Sequence, residues 1–245
     1  MRDTRRRSMR LGWVLASLAA AAALWSTPAY AGPPFVTDDP EPTDYHKWEI
    51  YNFVGGSREG GVTSADMGLD LNYGAVKDVQ LTMVLPLHVE TGAPLDTGDI
   101  QLAAKFKLLH QKADTASVDL TFFPRVFVPT GRGSRHAQLL LPIWVQRDFG
   151  KTTVFGGGGY TINPGAGNRD FWVQGVVVTR EVRKGFQVGV EYYGQGPGAI
   201  GDRRIDGVNF GALIHLSGPY SLIGSFGQGL NRRQTTFYTA LKLDF

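Results

Sequence analysis

Asp99-Ile100-Gln101-Leu102-Ala103-Ala104-Lys105-Phe106-Lys107-Leu108 alternates with a period of two: Ile100, Leu102, Ala104, Phe106 and Leu108 share one parity, and Asp99, Gln101, Lys105 and Lys107 the other. Side chains of an extended strand point alternately to its two faces, so this stretch builds one apolar face and one charged face. The same pattern recurs along the chain. Met67, Leu69, Leu71 and Tyr73 alternate with Asp66, Gly68, Asp70 and Asn72, and Val79, Leu81, Met83, Leu85 and Leu87 alternate with Gln80 and Thr82. Phe186, Val188, Val190 and Tyr192 alternate with Gln187, Gly189 and Glu191. The chain closes with Phe237, Leu241, Leu243 and Phe245 on one face and Tyr238, Lys242 and Asp244 on the other.

Working outward, the periodicity predicts about twelve strands, over 47–55, 64–74, 78–88, 98–109, 117–128, 138–147, 151–162, 170–181, 185–194, 207–216, 219–228 and 234–245. The connections sort by parity. Those after even strands are short, as at Ala75-Val76-Lys77, Gly150, Val182-Arg183-Lys184 and Gly218, with 110–116 somewhat longer. Those after odd strands are longer and rich in Gly and Pro, as in 88–97, 129–137 and 195–206. Alternation by itself also fits a soluble sandwich with one wet face. Short turns at one end, longer loops at the other and an apolar last strand ending in Phe245 favour an all-β fold: a transmembrane antiparallel up-and-down barrel of the bacterial outer-membrane type. Beyond the first 31 residues no stretch reaches 18 apolar residues, and the run Leu139 to Val145 is broken by Pro142, which excludes a helical membrane protein.

The first 31 residues have the three parts of a secretion signal. Arg2, Arg5, Arg6, Arg7 and Arg10 form a basic head, the apolar run starts at Leu11, and Ala29-Tyr30-Ala31 supplies a small-residue cleavage site. Cleavage there leaves 214 residues from Gly32, with 20 Lys plus Arg against 21 Asp plus Glu and a formal charge of −1. That balance gives no reason to expect nucleic acid as a partner. The absence of cysteine excludes disulfides and thiolate metal sites. A Pro- and acid-rich stretch follows, with Pro33, Pro34, Asp38, Asp39, Pro40, Glu41 and Pro42, a composition that disfavours helix and strand alike. The expected organisation is a signal peptide over 1–31, an extended periplasmic segment over 32–46 at or inside the barrel mouth, and the barrel over 47–245.

The mature start, Gly32-Pro33-Pro34-Phe35-Val36-Thr37-Asp38-Asp39-Pro40-Glu41-Pro42 leading into Trp48-Glu49, resembles the small outer-membrane barrels grouped as "meta pathway of phenol degradation". Further similar stretches are Gly98-Asp99-Ile100 to Phe106, Phe127-Val128-Pro129-Thr130-Gly131, Gly156 to Asn168, and Phe237 to Phe245. The resemblance implies an outer-membrane transporter of Gram-negative bacteria, and the family's label suggests small aromatic or hydrophobic solutes.

Few motifs point to covalent chemistry. Gly150-Lys151-Thr152 resembles the end of a phosphate loop, but Val145 stands where that loop needs its first glycine. The histidines at 46, 88, 110, 136 and 215 show no metal-ligand spacing. His215 and Ser217 lie two apart, as in outer-membrane phospholipase A, but Gly218 replaces the asparagine expected after that serine. Gly156 to Gly159 reads as a place where the wall bends or something approaches closely.

The inward parity is more informative, because ionisable groups inside a barrel must be paired or wet. Expected there are the acids Glu49, Asp70, Asp119 and Glu191, the bases Lys105, Lys107, Arg125, Arg180 and Lys242, and the aromatics Phe123, Phe127, Trp144, Trp172, Tyr193 and Tyr238. Wall bases are expected to pair with Asp70, Asp119 and Glu191. Two readings follow: a salt-bridged interior that only holds the barrel together, or a narrow pore whose charges orient a solute that stacks on rings. The expected function is passive, selective uptake of small molecules, without enzymatic activity, catalytic residues, metal or cofactor. A non-conducting structural or surface-interaction barrel and an outer-membrane lipid hydrolase stand as alternatives. The expected partners are outer-membrane lipid, the outer-membrane assembly machinery, a small solute, and lipopolysaccharide phosphates facing loop arginines 132, 135, 169, 203, 204, 232 and 233.

Overall fold

The computed structural model describes residues 34–112, 115–131 and 136–245. The signal expected over 1–31, together with Arg132 and Arg135, lies outside the described residues. Thirteen strand segments run in chain order: β1 (Trp48–Glu59), β2 (Val62–Val76), β3 (Val79–Glu90), β4 (Ile100–Leu109), β5 (Asp119–Phe122), β6 (Arg125–Val128), β7 (Gln138–Phe149), β8 (Thr152–Ile162), β9 (Phe171–Arg183), β10 (Phe186–Gln195), β11 (Ile205–Ser217), β12 (Tyr220–Gly229) and β13 (Gln234–Asp244). No helix forms among the described residues.

Each segment pairs antiparallel with its neighbours, and the sheet closes where β1 meets β13, with Ile50 opposite Leu243. Trp48 and Phe245 complete the seam, each N–H donating to the other's carbonyl at 2.7 and 3.0 Å. Closure removes every sheet edge, so no backbone polar row is left facing lipid.

Twelve strands make the wall, because β5 and β6 are two halves of one strand that both lie between β4 and β7. The single strand expected over 117–128 is therefore interrupted, at Phe123-Pro124. Pro124 has no N–H to place in a ladder. The neighbours adjust: Phe123 N donates to Pro142 O at 3.1 Å, and Ala104 N to Pro124 O at 3.2 Å.

The side-chain parity follows the sequence. Leu69, Leu81, Met83, Leu85, Leu102, Val176, Val188, Val190, Leu222 and Leu241 are exposed on the outer face, as a lipid-facing band requires. Aromatic rings flank that band. Trp48, Tyr73, Phe149, Tyr220 and Phe245 lie at the end that carries both chain ends of the barrel, with Tyr160, Trp172, Tyr192 and Phe226 towards the other. Such girdles match the amphipathic boundaries of a bilayer.

The loops sort largely as expected, with one difference. The first connection at the far end is only Gly60-Gly61, because β1 and β2 extend further than their alternation suggests. At the near end, the connection between β4 and β5 is the longer one, as expected.

Candidate functional site

The interior is polar and charged, and the wall does not fill it alone. Residues 34–46 run inside the barrel, from β2 and β3 past β4, β5 and β6 to β9 through β12 on the far wall. The sequence left open whether this segment stays at the mouth or enters. It enters, because the wall offers a partner at nearly every step and its prolines keep it extended.

Near the strand starts, His46 N donates to Gly74 O at 2.7 Å, and Thr43 N to Gln80 Oε1 at 2.7 Å. Gln80 is itself held by Asn72 and Thr82. Next come three acids against three bases. Glu41 pairs with Lys107, Asp38 pairs with Arg125, and Asp39 lies 3.7 Å from the Lys105 ammonium. Lys105 also donates to the carbonyls of Asp39 and Glu41 at 3.0 and 3.1 Å, and Thr121 Oγ1 donates to Pro40 O at 2.6 Å.

At the opposite wall the polarity reverses. The Glu191 carboxylate accepts from the amides of Val36 and Thr37 at 3.1 and 2.6 Å, and from Asn209 Nδ2 at 2.6 Å. Ser225 Oγ donates to Pro34 O at 2.6 Å. Glycines make the seat: a Cβ at Gly175 would stand 1.9 Å from Thr37 Oγ1, and one at Gly211 2.7 Å from the Phe35 ring. Gly189, opposite Gly211 in the register, faces the same ring.

A second charged group sits near the seam. Lys242 Nζ lies 2.6 Å from Glu49 and 3.2 Å from Asp244, and Tyr51 Oη donates to Glu49 at 2.6 Å. Asp70 accepts from Asn72 at 2.9 Å.

Of the residues expected to line the lumen, Glu49, Asp70, Lys105, Lys107, Asp119, Arg125, Trp144, Glu191, Tyr193, Tyr238 and Lys242 face inward, as do Phe123 and Phe127. Trp172 and Arg180 do not. In β9 the buried residues are Val177 and Thr179, so Trp172, 63% exposed, and Arg180 share the outer parity with Val176 and Val178. Trp172 packs edge-on against Tyr160, and Arg180 donates to Thr152 Oγ1 at 2.9 Å. From Phe171 to Thr179 the inward row of β9 is uncharged, which hides its direction from a reading based on charge.

The expected pairing within the wall is also corrected. Lys107 does meet Asp119 at 3.0 Å, but Lys105 and Arg125 pair with the N-terminal segment, and Glu191 holds backbone amides and, among the described residues, no base. Asp38, Asp39, Glu41 and the inward glycines 175, 189 and 211 are thus site residues that the sequence reading missed. Two inward glycines in register, 189 and 211, were the available signal.

His215 is exposed, and its serine contact is Ser221, at 3.4 Å, so the His215 and Ser217 pair is not assembled. Among the described residues, no group of three His, Cys, Asp or Glu side chains is placed to hold a metal ion. Several loop arginines are used locally. Arg204 binds Asp206 through Nε at 2.9 Å, and Arg232 donates to Arg203 O at 2.8 Å.

No protein-family profile matches the chain, and no curated protein sequence does. Solved structures do match in fold. The COG4313 outer-membrane channel from Pseudomonas putida F1 superimposes with a TM-score of 0.65 at 14% identity, over 88% of this chain and 100% of that one. The translocator domain of the autotransporter NalP from Neisseria meningitidis superimposes with a TM-score of 0.54 at 9% identity, over 99% and 96%. The chain has the fold of an outer-membrane β-barrel.

Proposed function

We propose that this protein resides in the outer membrane, after removal of a signal over 1–31, as a channel for passive uptake of small molecules, gated by its own N-terminal segment. The observation that carries this reading is the nature of the filling. The interior is occupied by a segment that belongs to no strand and is held by ion pairs, hydrogen bonds and glycine seats. A segment joined to the wall only at its end can leave without breaking a single barrel ladder. The likeness to an outer-membrane channel from Pseudomonas putida F1 supports the reading through the fold.

Small aromatic solutes are the proposed cargo, as in the phenol-degradation barrels that the mature start resembles. Phe123, Trp144, Tyr193 and Tyr238 supply inward ring faces beside polar groups. Exposed Arg169, Arg203 and Arg233 are the proposed contacts for lipopolysaccharide phosphates.

A second reading rests on the same segment: a barrel closed permanently by its plug, with a structural role. Planar-bilayer recording of the purified mature barrel separates the two. The channel reading expects discrete opening events and faster uptake of phenol than of a sugar of similar size in liposome assays. A folded barrel without openings at any voltage or solute would leave the structural reading.

A further inference from the structure

The wall facing Asp38, Asp39 and Glu41 is a cationic surface made by contiguous strands. Lys107 on β4, Thr121 on β5 and Trp144 on β7 lie in one cross-strand row, and Lys105, Phe123 and Arg125 lie on the same inward face. The Phe123 ring stands between two cations, with the Lys105 ammonium 4.8 Å and the Arg125 guanidinium 4.2 Å from its centroid. The Lys105 and Lys107 side chains are only 5% and 8% exposed. Within the wall Lys107 meets Asp119, and Glu49 and Asp70 act on Lys105 from further off; the ion-pair partners of Lys105 and Arg125 come from the segment.

If the segment withdraws, those counter-charges leave with it, and cations stripped of their partners in a narrow interior are costly. An anion of the same chemistry removes that cost. Among the described residues, two donors there have no acceptor even with the segment seated: Arg125 Nε and Trp144 Nε1. A guanidinium edge, two ammonium groups, an indole N–H and a ring face together match a carboxylate attached to a small apolar or aromatic body.

We propose that this surface is a binding site for small organic carboxylates, and that Asp38, Asp39 and Glu41 occupy it as a built-in competitor. As a step in uptake, the site rests on the channel reading; as a binding site, it does not. A free carboxylate and the segment exclude one another, so weakening the segment raises the apparent affinity for the free acid.

The test compares the purified mature barrel with its Asp38→Asn/Asp39→Asn/Glu41→Gln variant, both checked for folding by heat-shifted gel mobility, using benzoate and its uncharged analogue benzamide in calorimetric titrations. Benzoate is expected to bind the variant at least tenfold more tightly than the unmodified barrel, benzamide to gain nothing, and Arg125→Gln added to the variant to cancel the gain. Equal affinity of both proteins for benzoate, equal binding of benzamide, or indifference to Arg125→Gln overturns the proposal. If the triple variant does not fold, Asp38→Asn alone, which leaves the Asp39 and Glu41 contacts, is titrated instead. It is expected to gain about threefold, and no gain overturns the proposal. Recording the same proteins in bilayers keeps the two ideas apart: saturable benzoate binding without conductance removes the channel and keeps the site, and conductance without benzoate binding does the reverse.

Discussion

At the scale of single residues, Glu191 and the inward glycines decide whether the N-terminal segment is seated. Glu191 is 1% exposed and accepts two amides of the segment. Hydrogen bonds to a charged acceptor contribute about 1.5–3 kcal/mol against about 0.5–1.5 kcal/mol for neutral ones. Glu191→Gln should therefore shift the segment towards release by about 1–2 kcal/mol, roughly a 5- to 30-fold change in population. Single-channel open probability would rise while the heat-shifted gel mobility of the barrel stays; an unchanged open probability would show that the amides are not what holds the segment. Gly175→Val acts by volume on the same segment, because even a Cβ there overlaps Thr37. These positions were partly legible. Glu191 was expected inside from its parity, but its partner was not, since a backbone amide donor carries no residue signature.

At the scale of the strand, parity has a direct energetic consequence. Leu81, Leu102 and Val188 point to the outer face, and Arg there should cost about 2–4 kcal/mol near the bilayer midplane and reduce folding into lipid vesicles. Arg at Gln187, on the inward parity of β10 with Glu191 and Tyr193, should be far better tolerated. Equal losses at both sets would mean that the two faces are wrongly assigned. The strand scale is also where sequence reading was strongest, because every strand is stabilised by the same two-sided environment and the period of two survives in each. It failed at Phe123-Pro124, where one alternating run is split, and at β9, where Val177 and Thr179 turn inward and leave Trp172 and Arg180 outside. In both places the deciding term is a neighbour: the ladder that a proline cannot join, and the two strands that set the rotation of β9.

At the scale of the whole molecule, the proposed outer-membrane location carries a prediction about export. N-terminal sequencing of the protein from purified outer membranes is expected to begin at Gly32, and recovery in the soluble periplasm or retention of Met1 would contradict it. The residues by themselves determined the number of wall strands, their antiparallel order and nearly all of their inward and outward faces. These are local consequences of alternation, turn chemistry and the demand that a lipid-bound sheet have no edge. What only the tertiary structure decided is the content of the lumen. Asp39 and Lys105 are 66 residues apart in the chain, and Thr37 and Glu191 are 154 apart, with no periodicity linking them. The path of residues 34–46 follows from which cavity walls present charge, amide acceptors and missing side chains once the barrel has closed, and that surface does not exist until the strands are assembled.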